Sequence, residues 1–182
     1  MDFRNHTFPF TAHNFADLPR RIHVREGLFH SPHHEPSLTY TYFKVAEVIY
    51  GDLNGDGQDD AAVVAIYGGA SSDTYKTSVY MYTIEGRRPK PLAVLNEKAI
   101  AKEYERHSHG GSSQLFEAVA GGTTIKRGRL TVRHFAGGAH CCPQNVFTLR
   151  YVLKEGRLAL VSKSLRKKRE AEERIPHGAE YR

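Results

Sequence analysis

The segment Asp52–Asp60 most constrains how this chain can fold. It reads D-L-N-G-D-G-Q-D-D and stands between a strand-like stretch, Leu38–Tyr50, and a short apolar run, Ala61–Tyr67. Within the segment, Gly57 permits a sharp turn, and every second residue has an oxygen-bearing side chain. The apolar run has the length of a buried strand. The sequence therefore predicts two strands that are joined by a tight polar loop.

The loop also has the composition of a calcium site. Ca²⁺ is a hard cation that takes about six to eight oxygen ligands. An EF-hand counted from Asp52 would need a bidentate Glu at position 12, where this chain has Val63, so Asp60 at position 9 completes the set instead. The alternative is an acidic turn without metal, stabilised by Asx-type hydrogen bonds. We predict a structural calcium site whose ligands are Asp52, Asn54, Asp56, Gln58 and Asp60.

Two family resemblances follow from these residues. The pattern D-x-N-x-D-G-x-x-D before a β-strand resembles the calcium loops of FG-GAP and VCBS-type repeats. One copy does not make a propeller, so that resemblance implies the site and not the fold. With the later G-G-A-H-C-C-P and the opening D-F-R-N-H-T-F-P, the chain also resembles a group of uncharacterised bacterial exported proteins and lipoproteins. This second resemblance implies export and one compact domain, and it brings no known activity.

The predicted compartment follows from the calcium loop. Such a loop is filled most easily where calcium is millimolar, so we expect a periplasmic or extracellular location. The first residues have neither the basic nor the apolar region of a signal peptide, so an export signal would belong to a precursor. The sequence contains no run of about 20 apolar residues, so we expect no transmembrane segment.

The rest of the chain favours β-structure. Tyr and Phe are plentiful, and many Gly and Pro stand at turn-like positions between alternating segments. Two hairpins are indicated around Glu85–Pro89 and Lys154–Arg157, and a helix is indicated over Asn96–His107, where Asn96 provides an N-cap. We predict an α+β, mainly β fold: a single compact domain of antiparallel hairpins with one or two helices, not a full propeller.

Three segments are expected along the chain. Residues 1–36 form an irregular N-terminal segment that packs on the domain, and residues 37–163 form the β-rich core domain. Residues 164–182 form a polar, charged C-terminal helix or tail. Four phenylalanines of the first segment are candidate anchors: Phe3, Phe8, Phe10 and Phe15.

The two cysteines, Cys141 and Cys142, are adjacent, and four interpretations stay open for them. A vicinal disulfide would lock the tight turn that precedes Pro143. Reduced thiols would pack as small apolar groups. Either cysteine could be a nucleophile with His140 or His134 as its base. A zinc site is the fourth interpretation, although the spaced Cys-x₂-Cys pattern is missing. A structural turn is favoured, and no catalytic residue is assigned.

Other signals are weaker. The eleven histidines include His33, His34, His107 and His109 in expected loops, without a metal-protease signature. The chain has no P-loop or dinucleotide fingerprint, so no nucleotide cofactor is expected. Much of the net charge of +6 lies in Arg166–Arg169, which is typical of a solvated helix face, and nucleic acid is not the expected partner.

These observations favour a calcium-stabilised exported domain without enzymatic activity, which binds an envelope or extracellular protein or glycan. One alternative is a thiol- or His-dependent hydrolase that acts through His140, Cys141 and Cys142. The other is an anion or nucleic-acid binder that acts through the basic C-terminal tail.

Overall fold

A computed structural model shows that the chain is α+β and mainly β, as the sequence predicts. Its sheets are antiparallel, and the described residues form neither a closed barrel nor a propeller. The residues that the structure describes are those in the ranges 1–10, 19–31, 41–69, 76–86, 88–108, 115–139, 142–170 and residue 173.

The elements follow one another in three groups along the chain. A 3₁₀ turn, Phe3–Asn5, precedes a two-stranded sheet of β1 (Thr7–Pro9) and β2 (Arg21–His23). The first five-stranded sheet contains, in spatial order, β3 (Leu28–His30), β4 (Thr41–Gly51), β5 (Asp60–Gly69), β6 (Lys76–Glu85) and β7 (Arg88–Leu95). After α1 (Glu97–His107) comes the second five-stranded sheet, which consists of β8 (Leu115–Ala118), β9 (Thr124–Lys126), β10 (Arg129–Ala139), β11 (Cys142–Lys154) and β12 (Arg157–Lys167).

The second sheet has the strand order β12-β11-β10-β8, with β9 also paired to β10. One face of each five-stranded sheet contributes to a shared main core. Val64 of β5 and Leu149 of β11 belong to it, as do Ile100 and Tyr104 of α1. Because both sheets and the helix bury apolar side chains there, the main core holds the two sheets together.

β5 is buried on both of its faces. Ala62, Val64 and Ile66 lie in the main core, whereas the intervening side chains lie in a second cluster on the other side of the first sheet. A near-continuous apolar run is what a strand that is covered on both faces requires. The second cluster is completed by the N-terminal segment, which contributes Phe3, Phe8, Phe10, Ile22 and Val24.

The N-terminal segment was predicted to be irregular, but it contains three strands, β1, β2 and β3, within residues 1–36. These strands have three residues each, too few for a visible period in the sequence. The aromatic anchors Phe3, Phe8 and Phe10 are buried, and Phe15 falls outside the described residues.

The predicted helix and tight turns are confirmed. The Asn96 side chain accepts a hydrogen bond from the Ala99 N–H at 2.9 Å, which caps α1. The β11–β12 turn places Glu155 and Gly156 at φ values of 49° and 72°. Such turns match the twist of a hairpin, and they require two successive residues in the left-handed region.

β12 continues to Lys167, whereas the sequence analysis began a charged helix or tail at residue 164. Thr148 pairs with Ser164 and Asn145 with Lys167, so the strand is held by ladder hydrogen bonds to β11. The residues themselves show little apolar alternation. Charged residues on an edge strand commonly protect it against pairing with another chain. Because they replace the apolar alternation, the strand could not be recognised from the sequence.

Candidate functional site

The acidic loop joins β4 to β5 and is anchored by Asp60. Gly51 and Asp60 form the last cross-strand pair, and the Asp60 side chain is fully buried. Its Oδ2 accepts hydrogen bonds from the backbone N–H groups of Leu53, at 2.9 Å, and Asn54, at 3.0 Å. A buried carboxylate needs such donors because burial without them is costly. Asp60 therefore ties the start of the loop to the start of β5.

The remaining loop side chains form a chain of Asx-type hydrogen bonds. Asp52 accepts from the N–H groups of Gly55 and Gly57, Asn54 from that of Asp56, and Asp56 from that of Gln58. The two glycines have φ values of 84° and 81°, a region that glycine enters without strain. The tight polar loop predicted from the sequence is therefore present, and its turns are stabilised by its own side chains.

The geometry bears on the predicted calcium ligands in two ways. Within the described part of the chain, no three His, Cys, Asp or Glu side chains are gathered into a group that could hold a metal ion. Each carboxylate oxygen nevertheless has two lone pairs, so the backbone hydrogen bonds orient Asp52, Asp56 and Asp60 without using all their acceptor capacity. Gln58, which is predicted to offer its carbonyl oxygen, takes part in the described contacts through its backbone N–H. Calcium binding therefore stays a prediction.

The cysteine turn connects β10 to β11. Gly138 pairs with Pro143 and Ala139 with Cys142, and Cys142 is exposed. Gly137 and Gly138 have φ values of 66° and 83°, and an added Cβ on Gly138 would lie 2.9 Å from the Cys142 carbonyl oxygen. These glycines therefore allow the close approach of the two strands. His140 and Cys141 fall outside the described residues, as does the vicinal disulfide considered for Cys141 and Cys142.

His134 lies far from this turn. His134 pairs with Phe147, whereas Cys142 pairs with Ala139. Along β10, His134 lies five residues before Ala139. At about 3.3 Å per residue, this places His134 about 17 Å from Cys142 along the hairpin, whereas a catalytic base must approach to about 3 Å. The described geometry therefore does not bring His134 and Cys142 together as base and nucleophile.

The surroundings of His134 indicate a core residue. Its side chain is buried, and Nδ1 lies 3.1 Å from the Phe116 carbonyl oxygen. Burial lowers the pKa of His134 to about 4, against the opposing effects of that carbonyl and of the Glu117 carboxylate. Desolvation disfavours the charged imidazolium, so this histidine is neutral near pH 7.

The sequence analysis also named four histidines in expected loops, and the structure describes one of them, His107. His107, at the end of α1, is half-buried, and its ring centroid lies 5.6 Å from that of Phe147. It therefore packs against the main core. His33, His34 and His109 fall outside the described residues.

The basic C-terminal cluster lies beside the start of β11. Lys168 donates its backbone N–H to the Gln144 carbonyl at 2.8 Å, and its Nζ lies 5.4 Å from the centre of the Phe135 ring. A cavity of about 420 Å³ is lined by Pro143, Gln144, Asn145, Lys167, Lys168, Arg169 and Glu170. The cluster is thus the end of a strand and the segment after it, and not a helix face.

The sequence analysis missed a second group of cations. Strands β9 to β12 contain nine Lys and Arg residues and no Asp or Glu. Five of the nine are exposed on the sheet face that is turned away from the main core, which we call the basic face: Lys126, Arg129, Arg150, Lys154 and Arg157. The sequence shows these residues only as single Lys and Arg or as pairs four residues apart, spread over four strands.

Comparison of the chain with family models, with curated proteins and with solved structures finds no match in any of the three. Within the described part of the chain, no helix has the length and apolar character needed to cross a bilayer. The resemblances drawn from the acidic loop and the cysteine turn therefore stay predictions.

Proposed function

We propose that this chain is a calcium-stabilised, exported binding or structural domain, in which Ca²⁺ fastens the β4–β5 connection. One observation carries the proposal: the fully buried Asp60 closes a loop in which Asp52, Asn54 and Asp56 stand at alternating positions. The side chains are oxygen donors of the kind that Ca²⁺ prefers. A structural role is favoured because the loop leads directly into a central, fully covered strand.

Location and partner follow from the same proposal. A loop filled at millimolar calcium suits a periplasmic or extracellular domain, where the partner would be an envelope or extracellular protein or glycan. The separation of His134 from Cys142 argues against a hydrolase that uses this pair, whereas the hydrolase alternative that uses His140 and Cys141 depends on residues outside the described ranges.

Thermal unfolding in Ca²⁺ and in a chelator tests the proposal. A ligand that binds only the folded state at 100 times its Kd adds about 2.7 kcal/mol to the free energy of unfolding. For a chain of this length, that corresponds to a rise in Tm of about 5–10 °C. Calcium should produce this rise in the wild type but not in Asp52→Asn. If Tm stays the same in calcium and in chelator, at every calcium concentration up to millimolar, the proposal is overturned.

A matched control separates the loop from general charge effects. Glu155→Gln removes one acid from the β11–β12 turn, which has no predicted ligand, and should keep the full calcium-dependent rise. Sensitised terbium luminescence gives a second readout, because Tyr50 is exposed and stands two residues before Asp52. Calcium should displace terbium from the wild type. Equal loss of the calcium effect in both variants would point to diffuse charge instead of a loop site.

A further inference from the structure

The basic face is a compact two-dimensional patch. Lys126 pairs with Arg129 across β9 and β10, and Lys154 pairs with Arg157 across β11 and β12. Arg150 lies between these pairs, opposite Thr131 on one side and Ser162 on the other. With strands about 4.8 Å apart and residues about 3.3 Å apart, the patch measures about 14 Å by 13 Å. It is therefore as broad as it is long.

Structural roles do not account for this concentration of charge. Basic residues often protect an edge strand, but Arg129 and Arg150 lie on β10 and β11, which are inner strands of the sheet. Among the described residues, none of the ion pairs involves a cation of the basic face. Arg150 has a single long contact of 3.5 Å, to the Ser162 hydroxyl. The neighbouring acid Glu155 lies in the turn, outside the strands.

The chemistry of the patch narrows its partner. Phe135, the aromatic residue on this side of β10, is fully buried, so it offers no exposed ring on which a nucleic-acid base could stack. Val152 is half-buried between the cations, and Val161, at the β12 bulge beside Ser162, is exposed. One exposed valine buries too little apolar surface to hold a domain in a bilayer. Binding at this face would be electrostatic.

We propose that the basic face docks on the surface of a membrane that contains anionic phospholipids. Cations arranged over a plane match the planar array of lipid phosphates, whereas a polymer chain would be followed by a line or groove of charge. Arg129, Arg150 and Arg157 each present a fork of N–H donors, which suits phosphate oxygens. The hydroxyls of Thr131 and Ser162 stand between the cations and add donors for the same groups.

The test is co-sedimentation of the full chain with vesicles of phosphatidylcholine alone or with phosphatidylglycerol at about 30 mol %. A chelator is present throughout, so that calcium does not bridge the acidic loop to the lipid. The wild type should bind the anionic vesicles only. Binding should disappear near 1 M salt, where the Debye length falls to about 3 Å.

Two variants with equal charge changes identify the surface. R129E/R150E/K154E/R157E reverses four cations of the basic face, and we expect it to bind at least about 100-fold more weakly. R20E/R21E/R88E/K98E reverses four exposed cations elsewhere, and we expect a loss of less than about tenfold. Because all eight positions are exposed, both variants should keep the wild-type circular dichroism spectrum.

Three results would overturn the proposal. The first is an absence of binding to anionic vesicles at low salt. The second is an equal loss of binding in the two variants, which would mean that net charge alone is responsible. The third is displacement of the wild type from vesicles by a duplex or single-stranded oligonucleotide at the same total charge, which would make nucleic acid the preferred partner.

Discussion

The two five-stranded sheets use the faces turned away from their shared core in opposite ways. On the first sheet this face carries Phe43, Tyr67, Tyr80 and Tyr82, and the N-terminal segment covers it. On the second sheet the corresponding face presents exposed cations and hydroxyls at one end, whereas Phe135 and Val146 are buried at the other end. In both sheets successive side chains point to opposite faces, yet this produces a buried layer on one side of the molecule and a solvent-exposed, charged surface on the other.

The difference shows why the N-terminal segment is needed. Without it, the aromatic face of the first sheet would be a large exposed apolar patch, which soluble monomers rarely have. The second sheet has a smaller apolar cluster on this face, made of Phe116, Val119, Phe135 and Val146, and Lys168 from the segment after β12 lies over the Phe135 ring. The contrast makes the N-terminal segment part of the core and leaves the basic face available for a partner.

The largest expected effect comes from Phe8→Ala, which tests whether the N-terminal cover is part of the core. Phe8 is fully buried, and its ring centroid lies 5.1 Å from that of Tyr80 and 5.5 Å from that of Phe43. Removing a buried Phe costs about 3–5 kcal/mol, so urea unfolding should show a loss of this size. Val152→Ala on the basic face is the control, with an expected cost of about 1 kcal/mol or less. Equal costs for the two variants would break the comparison.

Lowering the pH is expected to reduce the free energy of unfolding by a smaller amount. The two sheets differ here as well, because the histidine of the second sheet is more deeply buried than that of the first. His134 is fully buried and its folded pKa is about 4, below its ordinary value of about 6.5. The unfolded chain therefore binds a proton first as the pH falls. Stability should decrease between about pH 6.5 and pH 4, by at most about 3 kcal/mol from this group.

His134→Asn should remove much of that pH dependence, since an amide can still donate to the Phe116 carbonyl and does not titrate. Burial also lowers the pKa of the half-buried His6 beside the first sheet, so His6→Asn should act in the same direction but less strongly. Urea unfolding at several pH values measures both slopes. A larger change for His6→Asn than for His134→Asn would contradict the assignment of the deeper site to the second sheet.

How much the sequence could predict depends on how local each signal is. The run Ala61–Tyr67 indicated a buried strand, and Asn96 marked the start of α1, because both patterns lie within a few residues. β1 and β2 gave no such signal. Thr7 pairs with His23, sixteen residues away, and that pairing depends on packing against the first sheet.

In the candidate site, too, only features that depend on residues close together in the sequence could be predicted. Spacing in the acidic loop was enough to predict a tight polar turn, since its hydrogen bonds join residues at most seven apart. The separation of His134 from Cys142 could not be derived, because it depends on the register of β10 against β11. The basic face was missed for a similar reason: its five cations become neighbours only when four strands are aligned.

The smallest expected effect comes from Arg150→Glu, at the centre of the basic face. Arg150 is exposed, and substitutions at exposed positions usually change stability by less than about 0.5 kcal/mol. Urea unfolding should therefore be nearly unchanged, while binding to anionic vesicles should weaken by about tenfold. A loss of stability above about 2 kcal/mol would mean that the arginine supports the fold. The basic face would then be a structural surface like the covered face of the first sheet, and the contrast between the two would disappear.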